Sequence, residues 1–291
     1  MHFGGRVEPR WGGLIRWWPH SPPGCSRLVI DALSAHYMER EAPRALVLSD
    51  VHGHCGLSRA LRVAAAEAPV DVLVLLGDFC EPHRAGGSCQ EWRLAVSRVA
   101  RASGARLVVY IEGNHDGGAS KCLEGVAHYI GESYTLSGSE NAYLLTHGHL
   151  YERDWLEECL WTRGFTTPES DSCVIEWGRR VRRALGLPGS MWLVLGHTHR
   201  LILDYRARIV HAGALCERVL SRLSLPWERS LGYLVVRDQW IEARRIDPTG
   251  RVVASLHSWP RRIPQGRGGG GGLLRAAYRL LARLRRSRGE S

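Results

Sequence analysis

Five short polar clusters, each closing an apolar run, hold the side chains able to do chemistry. In chain order they are Ser49-Asp50-Val51-His52-Gly53, Gly77-Asp78, Gly113-Asn114-His115-Asp116, His147-Gly148-His149 and Gly196-His197-Thr198-His199. Carboxylates, an asparagine amide and imidazoles form a mixed oxygen and nitrogen donor set. Such a set suits manganese, iron or zinc better than calcium or a soft metal. Asp50 and His52 are two apart, so both project to one side as a strand ends.

The elements that must position these clusters alternate. Apolar runs at 45–50, 70–78 and 106–116 are separated by helix-like stretches at 57–68 and 89–102. Unbroken apolar runs between amphipathic helices read as buried strands of βαβ units, and an α/β sheet presents ligands where its strands exit. After Tyr134 the strands come closer together, at 141–148, 191–197, 201–205, 208–214, 231–238 and 240–246, with one helical region at about 151–186. A second, mostly antiparallel sheet is expected there.

The order and spelling of the clusters, D-x-H, GD, GNHD, HG and GHTH, resembles the calcineurin-like metallophosphoesterase family over about residues 45–245. SDVHG, LTHGH and GHTH look most like its small bacterial and archaeal phosphodiesterases. The resemblance implies an α/β fold, a two-sheet β-sandwich flanked by helices in four αββα layers. It also implies that Asp50, His52 and His199 hold one metal, that Asn114, His147 and His197 hold another, and that Asp78 bridges them. Manganese is the expected pair, with iron, zinc, nickel or magnesium as the other choices. Glycines beside the ligands let the backbone turn sharply and leave room for phosphate oxygens.

The expected activity is hydrolysis of a phosphodiester or small phosphomonoester. Two ions about 3.5–4 Å apart can share a water, lower its pKa and aim the hydroxide at phosphorus. His115 resembles the family histidine that protonates or stabilises the leaving oxygen, and is the catalytic candidate. It needs an acid nearby, for which Glu81 is the first choice and Asp116 the second. His54 and His149, two residues past ligand histidines, are expected in structural or supporting positions. His83, His128 and His211 read as surface or core residues, and Asp71 and Asp204 as strand-end charges. An isolated histidine is an ordinary core or surface residue; it is the ordered set of seven that reads as a site.

Two rivals belong beside this reading. A nuclease of the DNA-repair branch shares most of the motifs, and a scaffold of the same fold needs no chemistry. Scaffold members have lost metal ligands, whereas all seven are present here. A phosphoprotein phosphatase is disfavoured because GDFCEPH and GNHDGG lack the arginines that branch carries after its GD and GN motifs.

Charge distribution bears on the nuclease. The net +10 is concentrated in residues 261–291, where nine arginines face one glutamate and contribute +8. The other 260 residues carry only about +2, little for gripping a polyanion. The tail itself, a Gly-rich linker at 266–272 followed by a basic amphipathic pattern, could meet nucleic acid or an anionic membrane surface. The partition expected is an N-terminal extension at 1–41, a catalytic domain at 42–260 with a candidate helical cap at 151–190, and the tail. The extension is Trp-, Pro- and Gly-rich and reads as helical from about 26 to 41.

With 44% hydrophobic and 23% charged residues the chain is globular rather than disordered or fibrous. No segment approaches the ~20 apolar residues that span a bilayer, and no signal-peptide layout opens the chain, so a cytoplasmic location is expected. Eight cysteines without a C-x-x-C pair read as free thiols. Arginine supplies 38 of 39 cations, Lys121 being the only lysine, a bias that hints at a GC-rich genome and a thermophile. In a hyperthermophile, intracellular disulfides become available.

Overall fold

The computed structural model describes residues 44–81, 87–138, 141–151, 153–163, 168–222, 225–237 and 240–257. The N-terminal extension at 1–41, the tail at 261–291 and His83 lie outside the described residues.

Each of the first three apolar runs forms a short strand: β1 (Ala45–Leu48), β2 (Val72–Leu76) and β3 (Leu107–Ile111). The stretches between them form helices α1 (His54–Glu67) and α2 (Cys89–Ser103). Helix α2 starts and stops where its sequence signals it. Ser88 and Glu91 close a reciprocal capping box, and Gly104 ends the helix at φ 67°, satisfying orphan amides at one end and carbonyls at the other. Parallel pairing of β1, β2 and β3 continues to β4 (Tyr129–Gly131), after the short helix α3 (Ala119–Cys122).

The second sheet has β5 (Ser133–Ser137), β6 (Ala142–Thr146), β7 (Met191–Leu195), β8 (Leu201–Asp204) and β9 (Ile209–Ala212), in the order β5-β6-β7-β9-β8. Two expectations about this half need correcting. Its sheet is not mostly antiparallel, since β6, β7 and β9 are parallel and only the β5 and β8 edges run against them. The cause is the helical region, which forms α4 (Arg153–Arg163) and α5 (Pro168–Ala184) between β6 and β7. A helical crossover returns the chain parallel, as a hairpin cannot.

The last strands, β10 (Gly232–Val236), β11 (Ile241–Ile246) and β12 (Val252–His257), do not join this sheet either. They extend the first one, giving the order β12-β11-β10-β1-β2-β3-β4. Strand β10 is buried along its whole length, which suits an interior place beside β1 rather than an exposed edge. A six-residue helix, α6 (Glu217–Arg222), precedes it.

Alternation along the strands divides the interior into three apolar layers. Leu46, Leu48, Leu73 and Leu75 face Ala60, Val63, Val96 and Val99 of α1 and α2. Val47, Val74 and Val109 face Tyr143, Leu145 and Val194 across the two sheets. Leu193, Leu195 and Ile209 face Val174, Trp177 and Val181 of α5. The four-layer αββα sandwich is therefore present. Each Leu or Val buried in this way stabilises by about 1.5–3 kcal/mol. Trp155 and Trp177 pack in the third layer, and the Trp177 indole N–H donates to the Tyr151 carbonyl at 2.8 Å.

Free thiols are corrected as well. Cys55 is bonded to Cys216, Cys89 to Cys122 and Cys159 to Cys173. Among the described residues only Cys80 is free, and it is buried. The pairs are 161, 33 and 14 residues apart, so no local spacing could announce them. No described helix is long and apolar enough to cross a membrane.

His211, on β9, is a core residue, fully buried with its ring 5.9 Å from that of Trp177. Its Nδ1 lies 3.2 Å from the Thr198 hydroxyl. Burial pushes its pKa down to about 3, against the weaker pull of a backbone bond to Val174. The native state therefore refuses a proton that the unfolded chain accepts below about 6.5, and stability is lost as pH falls from there toward 3. His211→Gln should flatten this acid limb by ~1.4 kcal/mol per pH unit between pH 6 and 4. Urea midpoints for both proteins across that range measure it, and identical slopes would refute the assignment.

Candidate metal centre

The exits of the parallel strands from both sheets meet at one pole. His147, at the end of β6, places Nδ1 3.0 Å from the carbonyl of Leu76, at the end of β2. A carbonyl can only accept, so Nδ1 carries a proton and Nε2 is the nitrogen a cation would take, displacing the proton that Asp78 favours there otherwise. Ser49 Oγ donates to the same carbonyl at 3.0 Å and also bonds Asp50. The β1 exit is laced to the β2 exit by Asp50 N to Gly77 O, His52 N to Asp78 O and Gly53 N to Phe79 O, at 3.2, 2.8 and 2.8 Å.

Two ligand groups result, and they share one residue. Asp50, His52, Asp78 and His199 bring their ligand atoms within 4.8 Å of one another, as do Asp78, His147 and His197. In the first group Asp50 Oδ1 is 2.9 Å from His199 Nε2, and the Nε2 atoms of His52 and His199 are 3.2 Å apart. In the second, Asp78 Oδ2 is 3.3 Å from His147 Nε2. Asn114 sits exposed in the turn after β3, beside the His115 N–H that donates to Asp78 Oδ1 at 2.8 Å. Its place as a ligand rests on the motif resemblance alone.

Five of these candidates, Asp50, His52, Asp78, His197 and His199, have positive φ between 51° and 66°, and Glu81 has 56°. Each such non-glycine residue stores about 1–3 kcal/mol and persists only where its surroundings over-determine it. Here the lacing of the strand exits supplies that, together with Leu215 N to Asp50 O and His197 N to Asp50 Oδ2, at 3.1 and 3.2 Å.

The residues fit divalent cations. Asp50 Oδ1 and His147 Nε2 are buried without a hydrogen bond of normal geometry, each aimed at other ligand atoms. Burial opposes charge on both carboxylates, but His199 beside Asp50 and His147 beside Asp78 outweigh it and hold both pKa values below the usual range. Burial likewise opposes a proton on His147, yet Asp78 lifts it to about 9. Burial, then the charge of His147, lowers His197 to about 3. The site is thus two ionised carboxylates enclosed by largely buried imidazoles, which is attractive to a cation.

His115 and Glu81 come together. Glu81 Oε1 lies 3.6 Å from His115 Nδ1 and 3.5 Å from His52 Nδ1. Asp116, the second acid considered, serves the backbone instead: it accepts N–H bonds from Asp78, Cys80 and Gly113 at 2.9, 3.1 and 2.7 Å. Burial, then the neighbouring Asp78 charge, raises its pKa. His149 stands beside the second ligand group, its ring 5.4 Å from that of His147 and 6.4 Å from that of His197. His54 points elsewhere, exposed on α1 with its ring 5.9 Å from Trp92. His128 is an exposed residue whose Nδ1 accepts from Val108 N at 3.0 Å.

A family model for the calcineurin-like phosphoesterase superfamily domain matches residues 44–224, more than half of the chain. The chain belongs to that superfamily. As a member it is a phosphoric ester hydrolase. Among solved structures, YfcE, a phosphoesterase from E. coli, is similar at 20% identity and a TM-score of 0.44, covering 73% of this chain and 98% of that one. A novel archaeal phosphodiesterase is similar at 15% identity and a TM-score of 0.40, with 74% and 99% covered. A predicted phosphoesterase from Streptococcus pneumoniae follows at 16% and 0.39, with 75% and 97%. No curated protein matches the chain.

In this phosphoesterase the motif glycines make room for ligands as much as for a turn. A Cβ on Gly113 would lie 2.2 Å from Asp78 Oδ1, and one on Gly77, at φ 78°, 2.2 Å from His147 Nδ1. One on Gly196 would meet Ser49 Oγ at 2.5 Å and His147 Nδ1 at 2.8 Å. Motif spelling marked these positions and Ser49 beside them, but not what the Ser49 hydroxyl does, which is to bond Leu76 O and Asp50. Gly196→Ala should destabilise the phosphoesterase by about 1–3 kcal/mol through overpacking and weaken metal uptake. Thermal unfolding and metal content measure both; a parent-like protein would mean the ligands have slack.

Proposed function

We propose that the protein hydrolyses a phosphodiester or small phosphomonoester using two divalent cations, with manganese the preferred pair. The observation that supports this most is the sharing of Asp78 between two ligand groups that also contain Asp50, His52 and His199, and His147 and His197. Bound there, divalent cations supply Lewis-acid charge against phosphoryl oxygens and lower the pKa of water.

The chain's own residues do the rest. Asp50, His52 and His199 would hold the first cation, Asn114, His147 and His197 the second, and Asp78 would serve both. His115, with a quarter of its side chain open to solvent, faces Glu81 through Nδ1. That leaves Nε2 to give a proton to the leaving oxygen, with the Glu81 carboxylate stabilising the charged ring. A nearly neutral body and the absence of arginines after GD and GN favour a small substrate over a polyanion or a phosphoprotein.

A panel of phosphomonoesters, cyclic and linear diesters and nucleic acids, assayed with manganese, tests the reading. Turnover of a small ester and none of DNA is expected; cleavage of DNA by the full chain would install the nuclease reading instead. His115→Asn should lower kcat about 100-fold or more with metal content unchanged, and a loss of metal in that variant would move His115 out of the catalytic role. The basic tail is proposed as a contact to nucleic acid or an anionic membrane surface. Salt-sensitive binding to either that persists after removal of residues 262–291 would count against it.

A further inference from the structure

We propose that the Cys55–Cys216 disulfide is a positioning element of the metal centre, clamping the Asp50–His52 turn to the loop that carries His199. This rests on the reading that those residues hold a cation.

Three ligands of the first group arrive from two loops far apart in sequence. The two loops are joined directly by a single backbone donor, His197 N to Asp50 Oδ2 at 3.2 Å. The segment 213–216, which follows β9, ties the two together: Gly213 N donates to Arg200 O at 2.9 Å, and Leu215 N donates to Asp50 O at 3.1 Å. Arg200 directly follows His199, so this segment touches the backbone at both ligand loops. It ends in Cys216, and the bond to Cys55 fixes it to the first turn of α1, three residues after His52.

The fit at this junction leaves no slack. A Cβ on Gly56 would lie 2.4 Å from Val51 O and 3.1 Å from Leu215 C. The largely buried Arg59 reaches from α1 to Leu215 O at 2.6 Å and to Glu217 at 2.8 Å. Asp50, His52 and His199 are all held at positive φ, between 51° and 53°. Left-handed Asp and His relax unless their surroundings prevent it. Two backbone hydrogen bonds from one segment are weak restraint; a covalent link spanning 161 residues keeps the segment from parting from α1.

Cys159–Cys173 provides a control, because it joins α4 to α5 within one helical hairpin only 14 residues apart. A dithiol reagent reduces a disulfide to two thiols, passing two electrons and two protons and closing to its own disulfide. Manganese is the probe, and free Mn2+ is read by electron paramagnetic resonance, independently of turnover.

Cys55→Ser/Cys216→Ser is expected to weaken binding of one of the two cations about 10- to 100-fold, as loss of a ligand-supporting contact does. Cys159→Ser/Cys173→Ser should bind as the parent does. If the first variant does not fold, reduction of the folded parent by a dithiol should produce the same loss. Parent-like affinity in the Cys55/Cys216 variant or the reduced parent overturns the inference, as does peptide mapping that finds both thiols free in the purified protein. A parent that takes up no manganese overturns the metal reading itself, a separate result.

Discussion

Asp78→Asn is expected to lower kcat about a thousandfold, equivalent to ~4 kcal/mol of transition-state stabilisation. Asp78 is the one residue common to both ligand groups, so an amide there would remove charge from both proposed cation positions at once. Shape is nearly conserved. Oδ1 accepts the His115 N–H at 2.8 Å, and an amide oxygen can do the same. Activity and metal content should therefore fall together while the folded state survives. Phosphoesterase assays beside metal analysis measure this. A variant as active as the parent would remove Asp78 from the centre and with it the two-cation reading.

The second large effect falls on stability. Asp116 is 2% exposed and accepts N–H bonds from Asp78, Cys80 and Gly113. Asp116→Ala strands all three donors in a buried place. Each orphaned donor costs about 1–3 kcal/mol, so the sum for the variant should reach ~3–5 kcal/mol. Because two of those donors belong to the GD and GNH turns, metal affinity should fall as well. Asp116→Asn keeps one carbonyl oxygen, and Oδ2 alone serves Asp78 N and Gly113 N; it should lose about half as much. Urea unfolding of the metal-free proteins separates the cases. An alanine variant within 1 kcal/mol of the parent would mean that water replaces the carboxylate.

Much of this was written locally in the sequence. Strands β1, β2 and β3 and helices α1 and α2 follow from runs a few residues long, and the grouping of Asp50, His52, Asp78, His147, His197 and His199 was implied by the motif order that resembles the family. An apolar run buried on both faces ends in a polar turn, and a parallel sheet exposes those turns together. Glu81, three residues after Asp78, was the first choice of acid for His115 because it stands where relatives of the family carry a carboxylate, and its Oε1 lies 3.6 Å from His115 Nδ1.

What tertiary structure alone decided is what depends on partners far away. Strand β10 has the same apolar alternation whichever sheet it joins; the open edge beside β1 chose for it. Cys55 and Cys216 carry no mutual signal across 161 positions. Asp116 reads as a second acid until three backbone donors are seen around it. The left-handed turns at Asp50, His52, Asp78, His197 and His199 run against the local preference of those residues. No short segment could hold them, because the hydrogen bonds that offset the strain come from other loops.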